Sequence, residues 1–269
     1  MSKFKLAVIA ALCAAVVLPA FTKAPQASAP AASAPDASLI EDLVYANRIL
    51  ADQGVVDAFG HVSVREDKDP TRFLLARSVA PALVTKADIL EFDKNGEAID
   101  ARGRAVYLER FIHAAIYRAR PDVKAIVHSH SPAVIPFGVT GTKLLPIYHM
   151  SAFLGAGAPI FEIRDAAGMT NLMITDNKLG DAVAKSLGAN AVVLMRGHGS
   201  VAVGDSIQQV VHRAVYTEVN ARLQADAAKL GPINFLTPEE AAKADAQTDS
   251  KASTSRPWEL WKARVGKID

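Results

Sequence analysis

Residues 105–130, AVYLERFIHAAIYRARPDVKAIVHSH, change their hydrophobic period across a single proline. Leu108, Phe111, Ile112, Ala115 and Ile116 recur at helical spacing and share one face, whereas VKAIVHSH is a short run rich in β-branched residues. Pro121 cannot continue a helix, because it has no amide proton and its ring clashes with the preceding turn. A helix must end there and a strand begin within a few residues. Each has an apolar side to bury, so the two are expected to stack as neighbouring layers.

The same alternation runs through the chain. SLIEDLVYANRILADQG predicts a first helix, with Leu39, Leu43, Ala46, Ile49 and Leu50 on one face, Ser38 as N-cap and Gly54 as its stop. HVSVR and RFLLAR read as short strands, and ADILEFDKNGEAID as two strand-like pieces about an Asn95-Gly96 turn. Ser131-Pro132 opens a short helix and IFEIR predicts a strand. DNKLGDAVAKSLG is a capped helix ended by Gly188, and NAVVLMRGHGSVAVG two strands joined at residues 196–199. The longest helix runs from a cap at Asp205 to Gly231. No internal repeat is present. The expected fold is α/β: a three-layer α/β/α domain on a central sheet, largely antiparallel or mixed.

The two ends differ from this middle. Lys3 and Lys5 precede an apolar run from Leu6 to Phe21, followed by small residues, which reads as a secretory signal over residues 1–29 with cleavage after Ala27-Ser28-Ala29. The run falls short of the ~20 apolar residues a spanning helix needs. Cleavage would leave a periplasmic or secreted protein without a stable membrane anchor. Residues 30–37 are then a flexible leader, 38–231 the domain, and 232–269 a tail that docks Trp258 and Trp261 on the domain or a neighbouring subunit.

Cys13, the sole cysteine, lies inside the signal, so the mature chain has neither disulfides nor thiolate ligands, and any metal must be held by nitrogen and oxygen. Removing Lys3, Lys5 and Lys23 takes 30 basic residues to 27 against 28 acidic ones, a net charge of −1. That balance excludes bulk attraction to nucleic acid or anionic membrane and leaves a small molecule as the expected partner.

Alternate strand residues share a face, so His128 and His130 can grip one ion if the strand extends that far. A hydrogen-bonded pair at a strand end is an equally good reading of the pattern. His198, between Gly197 and Gly199, is either a third imidazole in a tight turn or a plain turn residue. Three protein ligands with an open position define a catalytic site. Glu109 supplies a nearby carboxylate, or else faces solvent or pairs with His113 four residues on. Taken singly, His61, His113, His149 and His212 read as structural or surface residues.

With GHVSVR, LERFIHAAIYRARPDVKAIVHSH and VLMRGHG in this order ahead of a long helix, the chain resembles the class II aldolase/adducin family from about Ser38 to Gly231. The resemblance implies a homotetramer of three-layer domains with active sites at subunit interfaces. It implies His128, His130 and His198 as metal ligands and Glu109 as an acid/base whose pKa is raised. The metal it implies is divalent, zinc first, with manganese, cobalt and iron open. A carbon–carbon bond would break with the ion stabilising the resulting enolate.

Departures from the sugar-phosphate aldolases narrow this further. His61 stands where they carry Asn, Ala80-Pro81 near their Thr/Ser-Gly pair, Tyr107-Leu108 near their Ser-Ser pair, and Met150 in place of a tyrosine. The groups that would cradle a phosphate are missing. GHVSVR, YHMSAFLG and FEIRD look more like the branch of decarboxylases acting on aromatic or keto acids. That branch makes His61, Tyr148, His149 and Arg164 candidate substrate contacts, Arg164 being either a carboxylate clamp or half of a surface ion pair. Aldol cleavage or epimerisation of a sugar-like compound, and a metal-free adducin-like assembly domain, are the alternatives.

Overall fold

A computed structural model describes residues 35–268. The signal and leader up to residue 34, with Cys13 and the cleavage sites, lie outside the described residues. Seven strands form one sheet: β1 (His61–Arg65), β2 (Phe73–Ala76), β3 (Ile89–Phe92), β4 (Ala125–Ser129), β5 (Ile160–Phe161), β6 (Val192–Met195) and β7 (Gly199–Gly204). Their order is β3-β2-β1-β4-β7-β6-β5, and all neighbours are antiparallel except β5 and β6. The mixed sheet expected from the sequence is the one observed.

Because successive strand residues face opposite ways, β4 feeds two cores. Val127 packs with helices α1 (Ala37–Asp52) and α6 (Ile207–Leu230) on one side, and Ile126 with α2 (Arg110–Ala119) and α5 (Asn177–Leu187) on the other. His128 therefore faces the α2 side. Gly180 lets α5 lie directly on α2, since a Cβ there would collide with the Phe111 carbonyl oxygen. Two short helices, α3 (Ile135–Val139) and α4 (Ile163–Ala167), lie between β4 and α5.

Long helix α6 also positions a loop by polar contacts that its periodicity hides. Buried Glu218 accepts from Ser131 Oγ at 2.5 Å and from the Ala133 amide at 3.0 Å. Asn220 bonds the Ile147 amide and the Leu145 carbonyl, and Gln224 bonds the Leu145 amide and the Lys143 carbonyl. The chain that leaves the His128 strand is thus tied down from residue 131 to residue 147.

Several local expectations need correction. Helix α2 begins at Arg110, with Glu109 as its N-cap residue, because residues before it bridge to Arg77 through Val106; Leu108 is consequently exposed. IFEIR contributes strand only at Ile160–Phe161, since the Glu162 carboxylate caps α4 by accepting from the Arg164 amide. After the Asn95-Gly96 turn, Ala98 makes a single bridge to Phe92 instead of a strand. Ser131-Pro132 is a turn, and α3 starts later, with Pro136 in its first turn. The caps of α1 and α6 are Asp36 and Ser206, each one or two residues before or after the residue expected.

The polar stretch after Gly231 folds as α7 (Pro238–Thr248), opened by a Thr237/Glu240 capping box, and α8 (Lys251–Val265). Trp258 and Trp261 are buried against α1 and α6 of the same chain. Arg213 of α6 forms an ion pair with Asp249 between the two tail helices. Among the described residues no helix is long and apolar enough to cross a membrane.

Candidate metal centre

Four elements converge on one point of the α2 side of the sheet. Strand β4 delivers His128, the loop after it His130, the β6–β7 turn His198, and the N-cap position of α2 Glu109. One donor atom from each of these residues lies within 4.8 Å of all the others. Strand β4 stops at Ser129, so His130 reaches the group from the loop rather than from a continued strand. The two glycines beside His198 act differently: Gly197 takes φ +66, which an L side chain rarely adopts, whereas Gly199 is needed because a Cβ would strike the Ser129 carbonyl oxygen.

Backbone carbonyls determine the ring tautomers, since a carbonyl can only accept. His128 Nδ1 donates to Ser200 O at 3.1 Å, and His198 Nδ1 donates to Leu172 O at 3.0 Å. Leu172 itself sits at φ +71, a strained position for a leucine, and its carbonyl is what orients His198. With both Nδ1 protons spent, the atoms these two rings turn inward are their Nε2 atoms. They lie 3.4 Å and 3.3 Å from the same Glu109 oxygen, Oε2. His128 Nε2 is buried without a hydrogen-bond partner, and His198 Nε2 is 3.0 Å from His130 Nε2. Nitrogen and carboxylate donor atoms this close together need something positive, a proton or a metal ion, among them. Imidazole nitrogens whose other nitrogen is held by a carbonyl, together with a carboxylate, are a donor set that suits a divalent transition metal.

The other oxygen of Glu109, Oε1, accepts from the Ile174 amide at 2.9 Å. Burial pushes the Glu109 carboxyl up, but its contacts with His128 and His198 outweigh burial and hold it well below the usual carboxylate range. In the metal-free chain these contacts favour the carboxylate, the opposite direction from the raised pKa that the resemblance implies. Burial, followed by His128 and His198, lowers His130 to about 4.

The remaining candidates separate into a near and a far group. His61 is buried, pairs across the strands with His128, and its ring centroid lies 5.1 Å from that of His128. Tyr107 packs 4.6 Å from His61 and donates its hydroxyl to the Val79 carbonyl; burial pushes the phenol up to about 12. Tyr148 contacts His149 and Tyr216, and neither Tyr148 nor His149 contacts the four-residue group among the described residues. His149 is exposed, and the Tyr148 hydroxyl is buried without a partner. Of the two readings of Arg164, the structure has the surface ion pair: it pairs with Glu162 at 2.7 Å, where Arg196 also pairs with Glu162.

His113, read from the sequence as structural or as a partner of Glu109, is fully buried behind His61, with Nε2 2.7 Å from His61 Nδ1. Ser63 and Tyr117 continue that contact inward. The alternation of His61 with Ser63 on β1, and the four-residue steps from Glu109 to His113 to Tyr117 on α2, were the signals that could have located them.

Residues 41–225 match the family described as Class II Aldolase and Adducin N-terminal domain. The chain is 37% identical over 240 residues to the decarboxylase TropJ of Talaromyces stipitatus, covering 81% of this chain and 90% of that protein. It is 28% identical over 235 residues to 3,4-dihydroxyphthalate decarboxylase of a Terrabacter species, covering 82% and 94%. Its fold matches the structure of L-fuculose 1-phosphate aldolase from Glaciozyma antarctica with a TM-score of 0.70 at 24% identity, over 84% of this chain and 89% of that one. The chain belongs to the class II aldolase and adducin family.

Proposed function

We propose that this protein is a divalent-metal-dependent carbon–carbon lyase of the decarboxylase type, acting on a small, non-phosphorylated, oxygenated carboxylate. The observation that carries the reading is the convergence of the His128 and His198 Nε2 atoms on Glu109 Oε2, with His128 Nε2 buried and unpartnered. In this reading His128, His130 and His198 hold the ion, zinc first among the candidates, with manganese, cobalt and iron as alternatives. The ion would supply positive charge to the electron pair left behind when the bond breaks. Glu109 is placed to hold the ion or to move a proton. His61 and Tyr107 occupy the ground where a phosphate would need small hydroxylated residues, which supports a substrate without one.

Two features favour decarboxylation over aldol cleavage: TropJ and 3,4-dihydroxyphthalate decarboxylase, matched over 90% and 94% of their length, are named decarboxylases, and bulky His61 and Tyr107 stand beside the cluster. The decisive experiment has two arms. Metal analysis of the purified protein should find one equivalent per chain, lost in the His128→Ala/His130→Ala double variant; full occupancy in that variant would overturn the ligand set. Keto acids and hydroxylated aromatic acids are then screened for carbon dioxide against aldehyde. Aldehyde alone would replace the decarboxylase reading by an aldolase one, and absence of metal would favour an assembly role. We also propose export to the periplasm on the strength of residues 1–29, and a homotetramer on the family resemblance. Cell fractionation and sedimentation test these.

A further inference from the structure

Behind the cluster runs a line of four side chains with no charged member. Tyr117 Oη is 2.8 Å from Ser63 Oγ, Ser63 Oγ is 2.6 Å from His113 Nδ1, and His113 Nε2 is 2.7 Å from His61 Nδ1. Ser63 and His113 are wholly buried, His61 and Tyr117 almost so, and Phe73 walls the line off at 6.3 Å from His113 and 5.3 Å from Tyr117. Every link is short, so every link must contain one hydrogen, and the direction of one decides all the others.

Two directions are conceivable, and the inner end discriminates between them. If hydrogens run inward from His61, Tyr117 must finally donate to the Lys124 carbonyl. That contact is 3.4 Å long, and the carbonyl already accepts from the Arg65 amide at 2.7 Å. If they run outward, Tyr117 donates to Ser63, Ser63 to His113 Nδ1, and His113 Nε2–H to His61 Nδ1, each at 2.8 Å or less. The outward direction uses only good bonds. It leaves His61 with its hydrogen on Nε2, an atom with no protein partner among the described residues, and one not sealed from solvent like the orphaned His128 Nε2.

We infer that Tyr117, Ser63 and His113 are positioning residues that hold His61 in the Nε2–H tautomer, presenting a fixed hydrogen-bond donor beside the His128 edge of the cluster to a substrate oxygen. A fixed donor accepts only an oxygen with an available lone pair, and it gains most from one whose negative charge grows as the bond breaks. It would select enolisable carbonyl or phenol-type oxygens next to the metal-binding group. The substrate half of this inference rests on the proposed metal site; the tautomer half does not.

Protein labelled with ¹⁵N-histidine, with and without zinc, is studied by long-range ¹H–¹⁵N NMR, and the His61 signal is assigned by its loss in His61→Gln. The expected result is His61 and His113 both neutral with the proton on Nε2. A proton on His61 Nδ1 overturns the inference, whether or not zinc binds. Ser63→Ala should leave the fold and the zinc content intact while giving His61 a mixture of tautomers; an unchanged tautomer would reduce Ser63 to packing. For the substrate half the probe is 4-nitrocatechol titrated into zinc-loaded protein. His61→Phe should bind it about tenfold or more weakly, and His61→Gln, whose amide keeps a donor near Nε2, should recover most of that loss. Equal affinity in wild type and His61→Phe overturns the substrate half. Failure to load zinc instead counts against the proposed function, leaving the tautomer result to stand alone.

Discussion

His198 Nε2 lies 3.0 Å from His130 Nε2 while its Nδ1 proton is committed to the Leu172 carbonyl. Two imidazoles from separate loops, 68 residues apart in sequence, are thus held with their Nε2 atoms facing each other. The backbone of Leu172, strained at φ +71, is part of this arrangement. Replacing His198 by Ala should abolish stoichiometric metal binding. Leu172→Gly, which relieves the strain but loosens the carbonyl, should weaken affinity within the about 10–100-fold range of outer contacts to metal ligands. Competition with a chromogenic chelator measures both.

Acid should unfold the metal-free protein earlier than its net charge implies. Burial lowers His113 to about 3 and His212 to about 4 from the ordinary 6.5, with Arg213 adding to the effect on His212. These rings stay neutral when folded and charge when unfolded, so the unfolded state binds more protons between the two values. Their stabilising contribution is full above pH 6.5 and lost as pH falls toward 4 and 3. Glu109, held below the carboxylate range, acts in the same direction below its ordinary 4.5. The urea midpoint should therefore drop steadily from pH 6.5 downward; a flat profile to pH 4 would contradict these shifts.

His212 offers a cleaner test of the same effect. Both of its ring nitrogens are buried without partners, next to Tyr216 at 4.5 Å. A buried polar group without a bond costs roughly 1–3 kcal/mol. His212→Phe should leave stability at pH 7 unchanged or raised, and should flatten the acid limb of the profile.

Gly180→Ala should destabilise although alanine is the better helix former. The helix gain is about 1 kcal/mol. A Cβ at this position would collide with the Phe111 carbonyl and sit 3.0 Å from Ala115 Cβ, forcing α5 away from α2. A net loss of about 1–3 kcal/mol is expected, as for overpacked cores. Because Glu109 caps α2, zinc affinity should fall with it, read by calorimetry and thermal melting together.

The tail is structural ballast for α1 and α6. Trp258, 3% exposed, lies in the same core cluster as Leu43 and Val215. Trp258→Ala should cost about 3–5 kcal/mol. Arg164→Ala, by contrast, removes an exposed, solvent-screened ion pair and should leave stability nearly unchanged. It should leave metal content and 4-nitrocatechol binding unchanged, since Glu162 keeps Arg196. A large loss of probe binding would return Arg164 to the substrate pocket.

Local rules reached as far as the elements, their sequence and the mixed sheet. The period change at Pro121, the Gly188 and Gly231 stops and the RGHG turn each depend on neighbours a few residues away, so hydrophobic spacing and backbone sterics suffice to read them. Family resemblance, rather than spacing, brought Glu109, His128, His130 and His198 to a single site. Tertiary structure decided what each of those side chains can do. The pull on Glu109 toward the carboxylate in the metal-free chain comes from two histidines 19 and 89 residues away in the chain. The ring tautomers come from carbonyls of Ser200 and Leu172, the engagement of Arg164 from Glu162, and the role of His113 from a β1 serine 50 residues before it. A side chain's charge and proton are set by what lies within about 3 Å of it, and sequence position does not encode those distances until the sheet and helices have closed around them.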